Sequence, residues 1–206
     1  MSTNNSDNQK YDNLEINELI THILENHHTY VRENIPILEQ FAKKVVASHG
    51  DSNPELVKIK KLVTILINEL QPHMEKEENI LFPNIFNILD FHDNNIHENI
   101  NDPALNTAKN LIIAMIYEHE NAVGVVGKIR QTSDDYTPFE GACKTTEAFY
   151  FKLKEFQDDL FQHIYLEDEV LFPKVENLIS EITGVNSDAE SEELNTELDD
   201  LDDELF

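Results

Sequence analysis

Two stretches of the chain, "PHMEKEENILFP" at 72–83 and "QHIYLEDEVLFP" at 162–173, carry one frame: His, three residues, Glu, three residues, Leu-Phe-Pro. His and Glu four apart fall on the same face of an α-helix. Each frame also continues an apolar seam with 3-4 stepping: Ile59, Val63, Leu66, Leu70, His73, Glu77, Ile80 in one, and Phe149, Leu153, Phe156, Leu160, His163, Glu167, Val170 in the other. Both His/Glu pairs are therefore expected to face the core at equivalent depth. A frame repeated 90 residues apart restricts the chain to folds made of two similar halves.

The rest of the sequence reads as helix. It holds five glycines and no alternation long enough for strands. Helical segments are expected at about 13–48, 54–89, 103–131 and 138–180, separated by "SHGDSNP", "FHDNNIHENINDP" and "TSDDYTP". Pro36 and Pro72 fall inside segments and should bend rather than break them. The economical all-α fold is an up-down antiparallel four-helix bundle over residues 13–182, built as a pseudo-twofold doubled helical hairpin. Residues 1–12 are expected to be a flexible N-terminus, and 183–206, crowded with Asp and Glu, a disordered acidic tail.

The third segment steps Ala108, Ile112, Met115, His119, Ala122, Val126, Ile129, and the first steps Leu24, His28, Val31, Ile35, Leu38, Ala42, Val45. The rival track through His27 meets Asn34, so His28 is the inward histidine of the first helix. Each helix thus offers one inward imidazole, and two add a carboxylate one turn on. Burying two unpaired carboxylates costs several kcal/mol apiece, and no inward Lys or Arg is in place to offset it. A metal site resolves that cost. His28 to His73 is 45 residues and His119 to His163 is 44, so each hairpin supplies two imidazoles and one carboxylate, enough for two metal positions bridged by Glu77 and Glu167. Imidazole with carboxylate and no thiolate suits iron better than manganese or zinc. The Glu-x-x-His spacing of ferritin-like sites occurs only at Glu25 and His28. The His-Asp pair of "FHDNN" stands in an Asn-rich loop without a helical frame. His22, His92 and His97 read as surface or loop residues, and His49, ending the first helix, as a residue that supports the ligands from behind or lines an access path.

A formal charge of −26 disfavours nucleic-acid partners, which reward clustered Lys and Arg. The longest apolar run, "LIIAMIY", is far short of the ~20 residues that span a bilayer, so no membrane segment is expected. The N-terminus "MSTNNSDNQKY" has no secretory pattern, so a cytoplasmic location is expected. Cys143, the single cysteine, reads as a small core residue with no thiol chemistry.

The stretches "NHHTYVRENIP", "LQPHMEKEENILFP", "IYEHENAVG", "GACKTTEAFY" and "LFQHIYLEDEVLFP" resemble the hemerythrin-like di-iron domain of the repair-of-iron-centres family, over roughly 14–178. The resemblance implies His28, His73, His119 and His163 as ligands with Glu77 and Glu167 as bridges, and aligns a further family histidine with His49. It implies two iron ions, oxo- or hydroxo-bridged, with His28 and His73 on one and His119 and His163 on the other. The implied activity is repair of iron-sulfur clusters damaged by nitrosative or oxidative stress, through labile iron. Iron-sulfur proteins would be transient partners, and nitric oxide and oxygen small ligands. The alternative is a hemerythrin-like sensor or scavenger of those gases. Full-length members carry an N-terminal domain with adjacent cysteines, which this chain is expected to lack. Oxygen-carrying hemerythrins add a second histidine one turn along the third helix, where this chain has Met115 and Val123, so they are the weaker analogy. Oligomeric state is not legible.

Overall fold

A computed structural model describes residues 10–93 and 103–184. Four long helices account for nearly all of them: α1 (residues 16–49), α2 (residues 55–93), α3 (Pro103–Thr132) and α4 (residues 144–183). α1 packs on α2 and α4, and α3 closes the ring by packing on both α2 and α4. No strand occurs among the described residues. This is the helical bundle expected from the seams. The α1–α2 connection is short, with the Asn53 amide donating to the His49 carbonyl at 2.8 Å, which leaves the two helices as antiparallel neighbours.

Apolar burial falls into two clusters. One gathers Val31, Leu38, Leu66, Val126 and Phe156, among others, around the half of the bundle holding the α1–α2 and α3–α4 turns. The other gathers Leu19, Ile23, Phe82, Ile112 and Phe172 around the opposite half. The inward histidines and glutamates lie between them, so the polar layer is insulated by hydrocarbon on two sides.

Three of the helices contain a wide i→i+5 turn at this layer: Ile23–His28 in α1, Glu77–Leu81 in α2 and Leu166–Leu171 in α4. Such a turn holds one residue more than an α-turn and rotates everything beyond it. The α2 seam, read with a constant step, places Ile80 inward, but Ile80 is 48% exposed and Leu81 takes the core position at 0%. In α1 the buried residue is likewise Ile23, with Leu24 only partly covered.

The helices run through Pro36 and Pro72 without a break. The fourth helix begins at Lys144 rather than 138. Asp134, Asp135 and Tyr136 take positive φ values of 50°, 55° and 60°, a run no helix can contain. The turn is held by Tyr136, which is buried and donates its hydroxyl to Gln157 Oε1 at 2.8 Å. At the other end, Tyr11 is buried in the second apolar cluster and Lys174 donates to the Asp12 carbonyl at 2.9 Å. Tyr11 and the Asp12 carbonyl are thus tied to the bundle. The acidic tail beyond 184 and His97 lie outside the described residues. No described helix is long and apolar enough to cross a membrane.

Candidate metal centre

The wide turns place adjacent residues on different sides of the layer, and Glu77 and Glu167, both fully buried, point into it. Glu77 sets Oε2 3.2 Å from His28 Nε2 and Oε1 3.2 Å from His73 Nε2. Glu167 sets Oε2 3.1 Å from His119 Nε2 and Oε1 3.2 Å from His163 Nε2. Each carboxylate thus turns one oxygen toward each of two histidines. Two donors at adjacent positions about 2.1 Å from one ion sit about 3 Å apart, which is the spacing found. The result is two groups able to hold a metal, His28/Glu77/His163/Glu167 and His73/Glu77/His119/Glu167, each with donor atoms within 4.8 Å of one another.

The hydrogen-bond inventory is consistent with such occupants. Both oxygens of Glu77, both oxygens of Glu167, and Nε2 of His28 and His163 are buried with no hydrogen-bond partner in the protein. No Lys or Arg is among the described buried residues. Buried carboxylates left in this way are strongly unfavourable unless a cation is shared between them.

Three imidazoles are held from behind by carboxylates. His28 Nδ1 bonds Glu78 Oε1 at 2.6 Å, His73 Nδ1 bonds Glu118 Oε2 at 3.0 Å, and His119 Nδ1 bonds Asp168 Oδ1 at 2.8 Å. A proton on Nδ1 leaves the Nε2 lone pair for a metal and stiffens the ring. Two of these carboxylates are themselves braced, Glu78 by two bonds from Arg32 at 2.7 Å and Glu118 by Lys76. Glu78, Glu118 and Asp168 did not emerge from the seams. The signal was present: Glu78 and Asp168 directly follow the inward Glu77 and Glu167, and Glu118 directly precedes His119.

Without metal, the layer is a proton trap. Burial pulls the His119 imidazole down, but donation of its Nδ1–H to Asp168 and the adjoining Glu167 carboxylate outweigh this and push the group up to about 10. Burial likewise opposes, and Glu77 overcomes it, in raising His28 and His73. Burial would raise Glu167, yet His163 and His119 hold it well below the usual carboxylate range. A folded pKa above the unfolded value stabilises the fold fully below the unfolded pKa, and that contribution is lost as pH rises through the folded one. The Glu167 contribution is present above its unfolded value of about 4.5 and lost only in acid. The melting temperature of the metal-free chain is therefore expected to fall between about pH 6.5 and pH 10. The metal-loaded chain, whose histidines carry no such proton, should stay level. A metal-free melting temperature that holds steady across that range would contradict this.

The six expected inward residues meet in one layer, but the histidines divide differently from the expectation. His28 groups with His163, not His73, and His73 groups with His119. Both divisions pair neighbouring helices; the one found joins α1 with α4 and α2 with α3 and splits the hairpin partners α1 and α2. His49 is not brought to the layer: 21 residues beyond His28 on α1, it lies about 30 Å away along the helix. There its Nε2 sits 3.1 Å from Cys143 Sγ and its ring meets Phe139. Cys143 is accordingly no core residue. It caps α4 and is partly exposed, and its thiol is lowered to about 6, first by Thr146 and then by His49. His27 is buried beside His28, because the wide turn admits both. His22 and His92 lie on helices, so the His-Asp pair of "FHDNN" does have a helical frame, but neither histidine belongs to the groups able to hold a metal. A cavity of about 270 Å³, lined by Pro72, His73, Lys76, Glu118 and His119, opens from the α2–α3 side.

Fold and site together define a helical bundle with buried His/Glu groups able to hold metal. The chain belongs to the hemerythrin HHE cation-binding domain family, whose profile matches residues 19–175. Among its curated relatives, the iron-sulfur cluster repair protein YtfE of Dickeya chrysanthemi is 32% identical over 175 residues, covering 84% of this chain and 72% of the relative. The proteins of the same name from Enterobacter sp. and Citrobacter koseri are each 36% identical, over 159 and 157 residues. They cover 77% and 76% of this chain, and the chain spans 66% and 64% of their lengths.

Proposed function

We propose that this chain is a di-iron protein that serves the repair of iron-sulfur clusters damaged by nitrosative or oxidative stress, by releasing iron to them. The observation that carries the reading is the pair of four-residue groups sharing Glu77 and Glu167, in a chain similar to proteins named for iron-sulfur cluster repair. The donor set is imidazole and carboxylate without thiolate, which suits iron. His28 and His163 would hold one ion, His73 and His119 the other, with both carboxylates spanning the two. Iron in such a site supplies a redox-dependent affinity, weaker in the ferrous state. The protein's own contribution is to present four Nε2 lone pairs in a layer closed by apolar side chains. Glu78, Glu118 and Asp168 keep three of the rings in place. The cavity lined by His73 and His119 would be the side from which a small ion approaches the layer.

The test mixes the reduced, iron-loaded protein with a cluster apoprotein, sulfide and thiol, and follows iron transfer and recovered activity of the recipient. Transfer is expected, and Cys143→Ala should transfer at the parent rate because Cys143 lies far from the layer. Iron that stays bound while nitric oxide or oxygen binds reversibly would replace this reading with a sensor or scavenger.

A further inference from the structure

Of the four histidines in the layer, three give Nδ1 to a carboxylate and His163 does not. Its Nδ1 is buried and meets no hydrogen-bonding group of the protein. Four other buried polar atoms without a protein partner lie on the same α1–α4 seam: His27 Nε2, Tyr30 Oη, Asp159 Oδ2 and Gln162 Nε2. Residues 27 and 30 share a face of α1, and 159, 162 and 163 share one of α4. The His27 ring stacks on His163 with centroids 5.7 Å apart and planes 7° from parallel, and its Nδ1 bonds Asp159 Oδ1 at 2.9 Å. His163 is 1% and His27 6% exposed. Side chains on a helix lean toward its N-terminus, so the His163 ring leans over the turn that carries Asp159.

The chemistry of the five atoms is complementary through water. With Nε2 facing the layer, His163 presents Nδ1–H as a donor. Tyr30 is a donor too, its phenol pushed up to about 12 by burial first and then by Glu155, Asp159 and Asp158. Gln162 Nε2 is a third donor. Asp159 Oδ2 is an acceptor, and so is His27 Nε2 when Nδ1–H donates to Asp159. Water has two hydrogens for the acceptors and two lone pairs for the donors, and a polar site with two to four partners is where buried water resides.

We propose that ordered water in the α1–α4 seam joins His163 Nδ1–H to Asp159 Oδ2, making Asp159 the fourth orienting carboxylate of the centre. It acts through water where Glu78, Glu118 and Asp168 act directly. Asp159 is a positioning residue: its target is the direction of the His163 lone pair. This rests on the reading of His163 as a metal ligand. The position shared by His28 and His163 is consequently held less stiffly than the one shared by His73 and His119, and Asp159 controls only the former.

The experiment uses the full chain loaded with zinc, which is diamagnetic and allows the imidazole nitrogens to be followed by long-range proton–nitrogen NMR. The Nδ1–H of His163 is expected to exchange with water faster than those of His28, His73 and His119. In Asp159→Ala, one of the bound ions should pass to a chelator about 10- to 100-fold faster while the other keeps its parent rate. Asp159→Asn, which retains an acceptor oxygen, should fall between the two. Equal acceleration of both ions would mark Asp159 as merely structural, and unchanged release, or a His163 Nδ1–H as protected as the others, would likewise overturn the link. A His163 Nε2 resonance that does not move when zinc is added would overturn the ligand assignment together with the link. A moved resonance with unaltered release in Asp159→Ala would overturn the link alone.

Discussion

Glu77→Leu and Glu167→Leu are each expected to lower metal content from the two ions of the proposed centre to about one per chain or fewer while leaving the bundle folded. The reason is the division of oxygens. Glu77 faces His28 with one and His73 with the other, and Glu167 faces His119 and His163 in the same way. Removing either side chain withdraws a donor and a negative charge from both positions at once. Leucine is close in volume to glutamate, needs no partner, and sits between two existing apolar clusters. Replacing a whole buried ion pair by apolar groups is often neutral, whereas removing one partner costs about 3–5 kcal/mol, so the metal-free variants should stay folded but melt lower than the metal-free parent. Elemental analysis alongside thermal melting of the metal-free variants checks both halves of the statement. Unchanged stoichiometry in the two variants would remove the carboxylates from the site.

The second large effect concerns which histidines share an ion. In His28→Ala/His163→Ala, one group keeps both imidazoles and both carboxylates, so about one ion per chain should remain. His28→Ala/His73→Ala leaves each group with a single imidazole, and retention should fall to near zero under the same conditions. Both variants remove two buried histidines, so a difference between them cannot come from the number of ligands lost. The reverse pattern, with the His28/His73 variant keeping one ion, would restore hairpin pairing. His49→Ala is the matching control, expected to bind metal as the parent does because its ring contacts Cys143 and Phe139 at the far end of α1.

The inward faces were legible because helix periodicity is local. Val31, Ile35, Leu38, Ala42 and Val45 in α1, and the whole track from Ala108 to Ile129 in α3, are buried as their spacing implies. A local period misplaces side chains where the helix changes its pitch. A wide turn leaves no mark in composition, so Ile80 was expected inside and Leu81 is there instead. His28 was separated from His27 by asking which track avoids Asn34, yet His27 and Asn34 are both buried. Asn34 is accommodated by donating to the Tyr30 carbonyl at 2.8 Å, a local bond that makes a polar side chain tolerable within the core.

By itself, the order of residues determined the helices, the repeat, and the six side chains that turn inward, since each depends on neighbours three or four positions away. Tertiary structure alone decided how the four imidazoles divide, because that depends on toward which of its two neighbours each inward ring is turned, and α1 meets α4 through residues more than a hundred positions apart. The same holds for the carboxylates behind the rings. Glu78 reaches His28 from α2, Glu118 reaches His73 from α3 and Asp168 reaches His119 from α4, and no local period relates these partners. His49 shows the converse: its place in the linear pattern suggested the metal layer, but a helix advances about 1.5 Å per residue, and that rise carries it to the other end of the bundle.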